Sequence, residues 1–174
     1  GNLEEGFAQA DRVFDHTFTT HSQHQGFIEP HASVVSVDSD GRAHLWITNK
    51  MPVRAQKLLA DAVGIPQEQV VVHPVFIGGD FGGKGSLMDS PLCYHLSKRT
   101  GRPVKMVMTY TEELMAGNPR HPATISLRTG VTQDGQVVAR QAKVVFGSGA
   151  YAGFKPVPFV NIPGANQAAG VYGT

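Results

Sequence analysis

The chain has 174 residues, 41% of them apolar and 17% charged, with a formal net charge of +1. That is enough chain and apolar content for a packed core, and it argues against disorder, a nucleic-acid surface and a polybasic membrane patch. One cysteine, Cys93, excludes an intrachain disulfide, a cysteine-based zinc site and a cysteine-ligated iron–sulfur cluster.

The opening stretch "GNLEEGFAQADRVF" is acidic and polar, unlike a signal peptide. No apolar run nears the roughly 20 residues of a membrane helix, so the reading is a cytoplasmic protein, or else a mature or excised piece. "ADRVFDHTFTTHS" alternates at Val13, Phe14 and Phe18 and predicts a strand. "FIEPHASVVSVDSDGRAHLWIT" predicts two strands joined at Asp38-Ser39-Asp40-Gly41, a hairpin signature. "PVRAQKLLADAVG" predicts a helix with Ala55, Leu58, Leu59, Ala62 and Val63 on one face and Gly64 just past its end. "QVVVHPV" predicts a short buried strand. Ser90 and Pro91 fit an N-cap and first turn. They open a helix that buries Leu92, Cys93 and Leu96, carries Lys98 and Arg99 in its last turn and stops at Gly101. "PVKMVMT" predicts a strand and "TEELMAG" a short helix or turn. "ATISLRTGVT" and "QVVARQAKVVFG" form a second hairpin across Gln133-Asp134-Gly135. The expected class is α+β, a mixed sheet with hairpins and two to three helices. Residues 1–174 read as a single domain with an irregular tail over 148–174.

Between the "QVVVHPV" strand and the following helix lies "FIGGDFGGKGS", Phe76–Ser86. Strand, glycine-rich loop, helix is a common way to present backbone N–H groups to an anion. A P-loop needs a hydroxyl directly after its lysine to hold magnesium. Here Gly78, Gly83 and Lys84 fit, but Gly85 follows and Ser86 comes one position late. A Rossmann turn beginning at Gly83-Lys84-Gly85 fails at Met88. Both nucleotide patterns therefore miss a residue that carries their chemistry. The bland alternative is a tight turn that is glycine-rich for geometry alone. Phe81 argues against it, because an aromatic side chain in such a loop is expected to pack on something. Lys84 either offers charge to a phosphate or lies on the surface at a helix start. His21, His24 and His121 read as surface or turn residues and not as metal ligands.

"GGDFGGK" resembles the glycine–phenylalanine loop of the molybdenum hydroxylases, the xanthine oxidase and aldehyde oxidase family. "QGFIEPHA", "TNKMPVRAQKLLADAVGIPQEQVVVHP", "TGRPVKMVMTYTEELMAGNPRHPATISLRTGVTQDGQVVA" and "GSGAY" resemble segments of that family in the same order. The likeness covers nearly the whole chain and points to the N-terminal part of the molybdopterin-binding large subunit or domain. It implies a molybdopterin cofactor, in bacteria often as the cytosine dinucleotide. Its molybdenum is held by dithiolene sulfurs, so no protein metal ligand is expected.

The resemblance further implies that Phe81 and Gly82, within the Gly79–Gly83 stretch (Gly79, Gly83), lie beside the molybdenum with backbone N–H groups facing its ligands. Gln23, six residues before Glu29, matches a family glutamine that, at least in the xanthine-oxidising branch, bonds the apical oxo ligand, with Gln25 as the alternative register and a solvent-facing glutamine as the plain reading. Glu29, ahead of Pro30, is expected to make a structural hydrogen bond. The purine-oxidising branch carries a glutamate after the loop lysine, where this chain has Gly85. An aldehyde or another heterocycle is therefore as well supported as a purine. The family's second glycine–arginine loop and its catalytic glutamate lie further along. The chain accordingly reads as a fragment without catalytic residues of its own, inactive alone. The implied partners are the rest of the large subunit, iron–sulfur and FAD subunits or domains, and a small-molecule substrate. A non-catalytic binding domain of the same fold and a nucleotide-binding module are the rival readings.

Overall fold

The computed structural model describes residues 1–149, 164 and 167–170. In chain order the elements are α1 (Leu3–Ala8), β1 (Arg12–Thr20), β2 (Ala32–Val37), β3 (Ala43–Ile47), α2 (Pro52–Val63), β4 (Val70–His73), α3 (Ser90–Thr100), β5 (Val104–Val107), α4 (Tyr110–Ala116), β6 (Ala123–Val131) and β7 (Val137–Phe146). The α+β expectation holds, with four α-helices among the described residues where two to three were expected. The stretch read as one domain contains two compact units, Gly1–Gln23 with the described residues from His121 onward, and His24–Arg120. Most of the 148–174 tail, and the Ala150-Tyr151 end of "GSGAY", fall outside the described residues.

The first unit is an antiparallel sheet in the order β1-β6-β7. The hairpin at Gln133-Asp134-Gly135 forms as expected, with Gly135 at φ +88°. Every residue of β1 is exposed, and Phe14, His16 and Phe18 stack along one of its faces with ring centroids about 6 Å apart. The helix α1 had no hydrophobic period to announce it. It rests on capping: Asn2 accepts from the N–H groups of Glu4 and Glu5, and those two acids sit in the first turn, where the helix dipole favours negative charge. Gly6 lets it lie close to β7, since a Cβ there would stand 2.7 Å from the Val138 carbonyl oxygen.

The second unit holds the core. Its sheet runs β4-β3-β2-β5. β2 is antiparallel to β3 and β5, while β3 and β4 are parallel, so the chain must cross over between them, and α2 is that crossover. The hairpin at Asp38–Gly41 forms, its turn closed by Gly41 N–H to the Asp38 carbonyl. Val35, Ala43, Leu45, Ile47 and Val70 point to the face covered by α2 and α3 and pack with Ala55, Leu59, Ala60, Cys93 and Tyr94. Burying a side chain such as Leu59 contributes about 1.5–3 kcal/mol. On the same strands, Trp46 stacks on His73 at 4.3 Å. His44 bridges from Asp38 to His73 at 3.0 and 2.9 Å.

Three expected faces are corrected. In α2 the buried residues are Ala55, Leu59 and Ala60, while Ala62 is exposed and Leu58 only half-buried. In β4 only Val70 is buried, because the strand lies at the sheet edge. In α3 the buried residues are Ser90, Cys93, Tyr94 and Ser97, and Leu92 and Leu96 are exposed. Its N-cap is Asp89, not Ser90. The Ser90 hydroxyl instead donates to the Leu87 carbonyl. Both helices stop at left-handed glycines, Gly64 at φ +70° and Gly101 at φ +65°.

Candidate functional site

After β4 the chain runs without regular structure from Pro74 to Asp89 before α3 begins. Phe76 is fully exposed. Gly78 N–H donates to Glu29 Oε2 at 2.8 Å, and a Cβ at Gly78 would stand 2.7 Å from the Glu29 side chain. The chain then turns through left-handed conformations at Gly79 (φ +96°), Phe81 (φ +46°) and Gly82 (φ +95°). Phe81 is not a glycine, so its conformation is strained by roughly 1–2 kcal/mol and has to be held from outside.

Two residues, Asp80 and Arg120, hold it. Asp80 accepts from Gly82 N–H at 2.8 Å, Lys84 N–H at 2.7 Å and the Lys50 ammonium at 2.9 Å. The Asp80 carbonyl takes Gly83 N–H. Arg120 donates to the Phe81 carbonyl at 2.5 Å. Lys84 is wholly buried, its ammonium 2.5 Å from Glu29 and 4.7 Å from the centre of the Phe27 ring. Neither sequence reading of Lys84 survives: it is no surface lysine, and its charge is spent on Glu29. Phe81 is also corrected. Its side chain is 62% exposed, and what packs tightly is the glycine backbone around it. Glu29 makes the structural bonds expected of it.

Gly83 is wedged. A Cβ there would meet Phe27 Cε1 at 2.6 Å and Gln25 Oε1 at 2.9 Å. The Gln25 amide nitrogen donates to the Asn118 carbonyl at 2.9 Å, which turns Oε1 inward, where it is buried without a partner. Of the two candidate glutamines, Gln25 thus lies against the loop. Gln23 is exposed and belongs to the first unit.

Behind the loop, Glu113 of α4 is wholly buried. It accepts from His31 N–H at 2.6 Å, stands 2.8 Å from His31 Nδ1 and 3.3 Å from His24 Nε2. His24 Nδ1 takes Gly26 N–H, so its Nε2 carries the proton toward Glu113. Burial pushes the Glu113 carboxyl up, but the His31 and His24 bonds together outweigh it and hold it below its ordinary value. The same balance depresses Glu29 through Lys84 and Gly78. It depresses Asp80 through Lys50, Gly82 and Lys84. No group of three His, Cys, Asp or Glu side chains suited to a metal occurs among the described residues. A wider apolar hollow of about 740 Å³ beside α2 contains none of the glycine-loop residues.

Asp80, Lys50 and Phe27 were missed from sequence. Asp80 had a readable signal, since an aspartate two residues before a glycine is a turn former. The burial of Lys84 had none, because its partner is 55 residues away.

A family model described as a molybdopterin cofactor-binding domain matches residues 1–173. The chain belongs to that family. This domain is 33% identical over 156 residues to a probable xanthine dehydrogenase subunit of Bacillus subtilis, covering 90% of this chain and 21% of that protein. It is equally similar to the nicotinate dehydrogenase large molybdopterin subunit of Eubacterium barkeri, covering 37% of it. The chain therefore spans about a fifth to somewhat over a third of these relatives. Its fold matches the aldehyde oxidoreductase of Desulfovibrio gigas with a TM-score of 0.76 at 24% identity, over 84% of this chain and 16% of that one. The resemblance to the xanthine and aldehyde oxidase family is thus confirmed. Among the described residues no helix is long and apolar enough to cross a membrane.

Proposed function

We propose that the Gly78–Lys84 loop holds the reactive end of a molybdopterin cofactor in a parent enzyme that hydroxylates an aldehyde or an N-heterocycle. Bound there, the molybdenum centre supplies a two-electron oxidation coupled to oxygen transfer from water. The observation that carries the reading is the loop itself, a glycine backbone pinned open around a left-handed Phe81. The fit is physical. Gly79 and Gly83 let the loop seat closely on Phe27 and Gln25, and a loop with so few side chains lets a flat group approach its backbone. The buried Gln25 Oε1 has no protein donor, and a pterin ring offers N–H groups.

The roles of this chain's residues follow. Phe81 N–H would be a donor to the bound centre, as the family resemblance implies, and neutral donors of this kind stabilise negative charge that develops during reaction. Gly82 is needed for its conformation more than its N–H, which Asp80 takes. Gln23 is the proposed second polar contact, carried over from its match to the family glutamine. Gly85, where the purine-oxidising branch has a glutamate, leaves an aldehyde or another heterocycle as well supported as a purine. Iron–sulfur and flavin partners, the cytosine dinucleotide form and a cytoplasmic location belong to the same proposal.

The three carboxylates that could serve as a catalytic base here are committed: Glu29 to Lys84, Glu112 to the Thr109 cap, and Glu113 to His31. Residues 1–174 alone are therefore proposed to catalyse nothing. The nucleotide-binding rival loses its cation, since Lys84 is buried against Glu29.

The test uses the parent protein. Phe81→Ala is expected to lower molybdenum per protein or turnover more than melting temperature. Gln23→Ala is expected to lower turnover by roughly 1–3 kcal/mol, as for one polar contact. A large melting drop with unchanged molybdenum and turnover in Phe81→Ala would reduce the loop to packing. Unchanged turnover in Gln23→Ala, with turnover abolished in Gln25→Ala, would move the register by two. A parent holding the cofactor with no hydroxylase activity on aldehydes or N-heterocycles would favour the non-catalytic rival.

A further inference from the structure

The loop that the sequence offers as an anion seat already contains an anion. Asp80 receives two backbone N–H groups and one ammonium, at 2.8, 2.7 and 2.9 Å. That is the set a phosphate or sulfate recruits from a glycine-rich loop: convergent N–H groups in a left-handed turn, and a lysine. The third inner N–H, of Gly83, is closed by the Asp80 carbonyl. The remaining cation of the loop, Lys84, is neutralised by Glu29.

We propose that Asp80 is a built-in anion that closes the glycine loop to external oxyanions, and that its removal opens a phosphate-class site at Gly82, Lys84 and Lys50. Being tethered, the carboxylate competes at an effective concentration that a free anion reaches only in the millimolar range or above. A phosphate would also have to unpair Lys50 and settle beside a negative charge. The loop is thereby specialised toward a ligand presented to the Phe81 edge, and the choice is made by one side chain. This inference stands on the bonds of Asp80 and does not require a pterin at the loop.

Amide NMR of the 174-residue chain tests it, titrating inorganic phosphate against sodium chloride at constant ionic strength. In the native chain the Gly82 and Lys84 amides are expected to stay in place. In Asp80→Ala they should move saturably, and Asp80→Ala/Lys50→Met should bind about tenfold or more weakly than Asp80→Ala, as one lost charge contact implies. Native amides that shift as strongly as those of Asp80→Ala, or a folded Asp80→Ala with no saturable shift, would overturn the proposal. If Asp80→Ala does not fold, acid titration decides. The Gly82 and Lys84 amides of the native chain should follow one carboxylate ionisation that is missing in Asp80→Asn. Amides indifferent to that ionisation would show that Asp80 does not hold them.

Discussion

At Gly83 a single methyl group decides whether the loop can close. Its φ lies outside the left-handed region, so the demand is for space alone, with Phe27 at 2.6 Å and Gln25 at 2.9 Å from a Cβ. Gly83→Ala is expected to cost about 1–3 kcal/mol, the range for overpacking, read from the midpoint of chemical unfolding. A midpoint unchanged within error would mean that Phe27 swings away freely. Gly82 is the opposite case: a Cβ there would meet the Arg120 guanidinium at an ordinary 3.7 Å, but φ is +95°. Lys84 raises a question of charge. Replacing one partner of a fully buried pair costs about 3–5 kcal/mol. Glu29 keeps a third of its side chain exposed, so Lys84→Met should lose about 1–3 kcal/mol after that solvent screening. Glu29→Gln/Lys84→Met should recover part of the loss. Equal destabilisation in the single and double variants would mean that Lys84 acts through packing on Phe27 and not through charge.

Among the elements, α4 is secured twice. Thr109 and Glu112 form a capping box at its start, and Glu113 reaches inward to His31 and His24. The Glu113 carboxyl is held below its ordinary value, so its contribution is fully present above the unfolded-state value and is lost as pH falls through the folded one. Melting temperature should therefore fall on acidification in the native chain and fall less in Glu113→Gln, which starts lower at neutral pH. Parallel curves would remove Glu113 as a cause of acid lability. How far such elements are legible depends on what fills their buried faces. The β2–β3 and β6–β7 hairpins were readable because turn chemistry and alternation agree there. The face of α3 was misread because Ser90 and Ser97, polar by composition, are buried while satisfying Leu87 and Val37, and the leucines beside them face outward. Of the site, the glycines and Phe81 were visible in sequence. The pairings of Arg120 with Phe81 and of Lys84 with Glu29 were not, because long-range pairing leaves no local period.

Across the whole molecule, burial is uneven. The large buried cluster lies in the second unit. Among the described residues of the first, the buried apolar side chains are Ala123 and Ala139. Native-state hydrogen exchange should follow this division, since local opening is easiest where few apolar contacts must break. Amides of β2, β3, α2 and α3 are expected to exchange most slowly, and those of β1, β6 and β7 orders of magnitude faster. Uniform protection would mean that the two units open as one. The stack of Trp46 on His73 makes such a comparison possible by light alone. Trp46 is the chain's single tryptophan, and it sits on β3 beside β4. Fluorescence excited at the red edge of the protein spectrum therefore has one source, inside the four-stranded sheet. It goes dark to anything the three-stranded sheet does, and a melt seen first by circular dichroism and later by tryptophan emission would separate the two units without a label.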